Sequence, residues 1–195
     1  YNALKDVVSE KDFVILCGML ETSEPAVIKQ VQQAVVSAVS SMSPAEQTGM
    51  ITRRMLQAGD SKKYLYYPVL ASTGDSEALD MIVKGFETES GPAKEAAFDA
   101  LLAWKSFEVE GPLYAICEKP SNSSYFDRAL DAYITLASDA GMTGENRLIF
   151  LRKAMSVAKT DEQKNKILRN VGRTGTFTAM IFAGEFLENN ALKEN

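Results

Sequence analysis

The sequence contains no histidine. That removes the commonest general base and the commonest metal ligand, and with them Ser-His and Cys-His nucleophilic catalysis. Cysteine is nearly as scarce, with Cys17 and Cys117 as the whole thiol content, and Trp104 is the only tryptophan. No apolar run approaches the roughly 18 to 20 residues needed to cross a bilayer. The best is Phe13-Val14-Ile15-Leu16-Cys17-Gly18-Met19-Leu20, so no membrane insertion is expected. Positive charge is outnumbered, 21 Lys and Arg against 26 Asp and Glu, for a formal net charge of −5. This opposes the basic footprint of a phosphate-neutralising protein and speaks against nucleic acid as a partner. Strand signals are absent. The glycine stretch from Gly85 to Pro92 lacks the Gly-Lys-Ser/Thr ending of a phosphate loop and reads as a turn between helices. Gly74, Gly172 and Gly175 read as helix ends. Nothing in the sequence implies a cofactor or a metal.

What is present is a repeat. Residues 10–88 can be laid on residues 110–188 at an offset of about 100, matching Glu10 with Glu110, Cys17 with Cys117, Met42 with Met142, Met55 with Met155 and Ala58 with Ala158. A slip of one residue then aligns Thr73-Gly74 with Thr174-Gly175, Ala78 with Ala179 and Glu87 with Glu188. Fixed-period self-similarity in a helical sequence predicts a stacked array, because one unit cannot bury its own apolar face without a neighbour. If three stacking steps of about 8–10 Å separate the two cysteines, they stand on the order of 30 Å apart, far beyond disulfide reach. Each is read as a small core residue.

Apolar spacing and punctuation predict helices almost end to end. Phe126, Ala129, Leu130, Tyr133, Ile134 and Ala137 follow the i, i+3, i+4, i+7 rhythm of one buried stripe, and Val27, Val31, Ala34, Val35 and Ala38 do the same in the first module. Ser43-Pro44-Ala45-Glu46 and Thr160-Asp161-Glu162-Gln163 carry the chemistry of capping boxes. Pro25, Pro44, Pro92 and Pro112 sit near predicted starts, where a missing N–H costs little. Eleven helices are predicted, over 10–21, 24–41, 43–58, 61–72, 75–88, 91–105, 110–119, 123–139, 144–159, 161–172 and 176–189. They pair into antiparallel hairpins recurring at about 33 residues, three to each 100-residue module. At 195 residues, one elongated domain is expected.

This hairpin pattern resembles the HEAT and armadillo α-solenoids, with shorter units than the usual HEAT length. The resemblance implies an all-α, right-handed α-α superhelix of about five and a half hairpins over residues 1–195. The stretch Asp127-Arg128-Ala129-Leu130-Asp131-Ala132-Tyr133-Ile134-Thr135-Leu136-Ala137, followed by Leu151-Arg152-Lys153-Ala154-Met155 and residues 161–168, is similar to HEAT-like domains of exported bacterial proteins. In those proteins the domain often accompanies a 3-keto-disaccharide hydrolase-type domain. That company implies a periplasmic or cell-envelope location and carries no residues across.

In such solenoids the second helices of successive hairpins line a concave binding strip. The candidates are Lys29 and Gln33, then Tyr64 and Tyr67, Lys94 and Trp104, Tyr125, Arg128 and Thr135, and finally Lys166, Arg169 and Arg173. Trp104 also continues the stripe through Ala97, Ala100 and Leu101, and at least one tyrosine of the 64–67 run must face inward. Asp99 and Asp131 are repeat-equivalent, and Arg128 lies one turn before Asp131. They fit a structural ladder between repeats better than a hydrolytic acid pair, which no spacing singles out.

The expected function is a non-catalytic scaffold or protein-binding module, its partner another protein or an adjacent domain of the same chain. A carbohydrate-binding or accessory role in a sugar-processing protein, with glycan against the aromatic residues, is the alternative. The opening Tyr1-Asn2-Ala3 reads as part of something longer. The last helix, Phe177 to Leu187, is rich in Phe, Ile and Met, and is expected to be covered by a following domain or a second copy.

Overall fold

The computed structural model describes residues 8–138, 141–189 and 191–192. The opening Tyr1-Asn2-Ala3 and the end of the predicted 123–139 helix lie outside them. The protein is all-α. Among the described residues there are eleven α-helices and no strand. They are α1 (Phe13–Thr22), α2 (Pro25–Val39), α3 (Pro44–Ala58), α4 (Tyr67–Ala71), α5 (Ser76–Thr88), α6 (Gly91–Leu102), α7 (Glu110–Glu118), α8 (Phe126–Ala137), α9 (Gly144–Val157), α10 (Asp161–Gly172) and α11 (Phe177–Gly184). Among the described residues no helix is long and apolar enough to cross a membrane.

The local chemistry of the starts is as the sequence predicts. Ser43 accepts from the backbone N–H of Glu46, whose carboxylate reaches back to the N–H of Ser43, and Thr160 and Gln163 close the same box on α10. Two predictions of extent need correction. Residues 61–72 do not form one helix: a 3-10 turn (Lys63–Leu65) is followed by the five-residue α4. Pro68 explains the break, because it has no N–H to offer the carbonyl four residues back and its ring crowds that turn. Nor does the helix predicted over 176–189 run its full length, since α11 stops at Gly184. Gly85 is buried inside α5, and the chain reverses at Glu89 and Ser90. Gly74 and Gly175 do take left-handed φ values of 67° and 68°, whereas Gly172 is an ordinary helical residue.

The chain divides into two compact units, Tyr1–Val109 and Glu110–Asn195, and the boundary falls where the second sequence module begins. In the first unit α1 packs on α2, α5 on α6, and α6 also on α4. Only two residues join α1 to α2 and α5 to α6, so each pair must run antiparallel. The core gathers Leu16, Cys17, Val31, Val35, Ile51, Leu70, Ile82 and Phe98. In the second unit α7 packs on α8, α8 on α9, α9 on α10 and α10 on α11. All six stripe residues of α8 are buried there, together with Leu113, Cys117, Leu151, Ile167 and Val171. Both cysteines are free and buried.

Candidate functional site

Polar side chains in this protein bridge neighbouring hairpins. In the first unit, Arg54 Nη2 donates to Glu21 Oε2 at 2.9 Å across 33 residues of sequence, and Gln32 Nε2 donates to the Leu65 carbonyl at 2.8 Å, again across 33. In the second, Lys166 Nζ donates to Asp131 Oδ1 at 2.6 Å across 35 residues, Gln163 Nε2 to Asp127 Oδ1 at 2.8 Å across 36, Ser138 Oγ to Asn170 Oδ1 at 3.0 Å across 32, and Thr178 Oγ1 to Glu145 Oε2 at 2.7 Å across 33. These six bonds span 32–36 residues, close to the predicted hairpin period of about 33, while Tyr66–Glu21 and Tyr133–Glu110 span 45 and 23.

Each unit also holds a tyrosine against a glutamate inside its packing. Tyr66 Oη donates to Glu21 Oε1 at 2.5 Å, so the Glu21 carboxylate is shared by a phenol and a guanidinium. Tyr133 Oη donates to Glu110 Oε1 at 2.8 Å, and Lys153 Nζ reaches the same oxygen at 3.1 Å. Burial, then the bond to a carboxylate, pushes both phenols up from the ordinary tyrosine range. Arg54 Nε is buried without a hydrogen-bond partner. Burial likewise pushes the Cys17 thiol up to about 11 and the Cys117 thiol up to about 12. Both therefore stand as neutral thiols near pH 7 rather than as nucleophilic thiolates. Among the described residues no three of Cys, Asp and Glu converge to hold a metal ion.

The predicted strip is partly dismantled by burial. Tyr67 and Trp104 are core residues, and Trp104 donates its Nε1–H to Ser106 Oγ at 2.8 Å, so neither offers a ring face to a partner. Both had been candidates because aromatic side chains anchor interfaces. The stripe through Ala97, Ala100 and Leu101 was the signal that Trp104 turns inward. Tyr64 and Tyr125 are half-buried. Arg128, Lys166, Arg169 and Arg173 are exposed, with Lys166 paired to Asp131. Lys94 lies over the Phe86 ring, 4.6 Å from its centroid, and Thr135 bonds its own helix through the Asp131 carbonyl.

Two grooves among the described residues include members of the predicted strip. In the first unit a cavity of about 440 Å³ lies between α2 and α4, with Lys29, Gln33 and Ser37 on one wall and Pro68 and Ser72 on the other. Lys29, Gln33 and Ser37 are four residues apart in succession, which puts them on one face of α2. The sequence pointed to Lys29 and Gln33; their α4 partners were hidden inside the helix predicted over 61–72. In the second unit a cavity of about 500 Å³ opens between α10 and α11, walled by Leu168, Arg169 and Arg173 on one side and Met180 and Leu187 on the other. Arg169 and Arg173 were predicted surface residues, and the apolar wall opposite them belongs to the helix predicted to be covered. No protein-family model, curated protein or solved structure matches the chain.

Proposed function

We propose that this chain is a non-catalytic helical-repeat scaffold of the HEAT or armadillo kind, a right-handed superhelix that binds protein. The observation that carries this reading is the set of side-chain bonds joining residues 32–36 apart. A repeat array in which each hairpin touches only its neighbours generates that separation, and it employs its acids and amides as struts. Asp131, matched with Asp99 in the repeat, is bonded to Lys166 in this way. The α2–α4 groove supplies the surface, lined by an ammonium, two amides and two hydroxyls together with the apolar Val36 and Pro68. A glycan reading is weaker, because, of the predicted aromatic candidates, Tyr67 and Trp104 are buried and Tyr64 and Tyr125 are half-buried.

The test is a photo-crosslinking amino acid at Gln33, irradiated in the cells that make the protein. Covalent capture of one discrete polypeptide, lost on Lys29→Glu, is the expected result. Calorimetric binding of disaccharides, or turnover of a glycoside abolished by Asp131→Asn, would overturn the reading.

A further inference from the structure

We draw no further inference here: the strongest candidate, the exposed apolar patch that Phe177, Met180 and Ile181 form on α11, carries nothing because nothing in the structure shows what covers it.

Discussion

The Tyr67 ring occupies the space that a side chain at position 85 would need. A Cβ built on Gly85 would lie 2.7 Å from Cε1 of Tyr67 and closer still to its hydroxyl, so α5 can approach α4 only because residue 85 is glycine. Gly85→Ala should destabilise the protein. Overpacking costs roughly 1–3 kcal/mol, offset by up to about 1 kcal/mol for replacing a helical glycine. A net loss of about 1–2 kcal/mol is expected in urea unfolding. In a Tyr67→Leu background the same alanine should become neutral or stabilising; an unchanged cost there would disprove the contact.

Glu21 joins two helical elements by bonding both Arg54 and Tyr66. Glu21→Ala leaves a largely buried guanidinium, already lacking a partner at Nε, without its carboxylate. The expected loss is about 2–3 kcal/mol, within the range for charge-assisted bonds. The pair Glu21→Leu with Arg54→Met should cost less than the sum of the single changes. Denaturant midpoints of the four proteins in that cycle decide it.

Alkaline unfolding should follow from the buried phenols, Tyr66, Tyr67 and Tyr133, all raised foremost by burial. Tyr66 and Tyr133 are raised above the ordinary value of 10.0, by burial first and then by their carboxylate partners. Below pH 10 both folded and unfolded states hold these protons, so the stability is fully present. As pH rises beyond that, the unfolded chain loses them first, and stability falls until the raised folded values are passed. Three of the seven tyrosines, Tyr66, Tyr67 and Tyr133, should therefore ionise, by absorbance near 295 nm, only together with the loss of helical circular dichroism. Replacing all three by Phe should flatten the dependence.

The thiols should be silent in the native state. With Cys17 pushed up to about 11 and Cys117 to about 12, foremost by burial, the thiolate fraction at pH 8 is roughly one in a thousand or less. A disulfide reagent such as DTNB should react with neither in buffer and with both in guanidinium chloride. Prompt native labelling of either cysteine would contradict the packing of that unit.

All eleven helices were legible in the sequence because their signals are local. Periodicity of the α8 stripe, the capping boxes at Ser43 and Thr160, and the prolines at helix starts act within a few residues. Extent was less legible. Pro68 interrupts the predicted 61–72 helix, although proline at helix starts elsewhere in this chain is harmless, and the α11 helix stops at Gly184 rather than continuing to 189. The candidate strip fared worse, since an aromatic residue at helical spacing is equally suited to a core and to an interface. Tyr67 and Trp104 went to the core.

The amino-acid sequence alone determined the all-α class and the order of the helices, since both are written in residue spacing. Only the tertiary structure decided which side chains lie under a neighbour. Leu79 and Met180 are both apolar residues on helices, yet one is buried and the other is exposed. Burial depends on what packs against a helix, and that is a property of the assembled unit rather than of the helix itself.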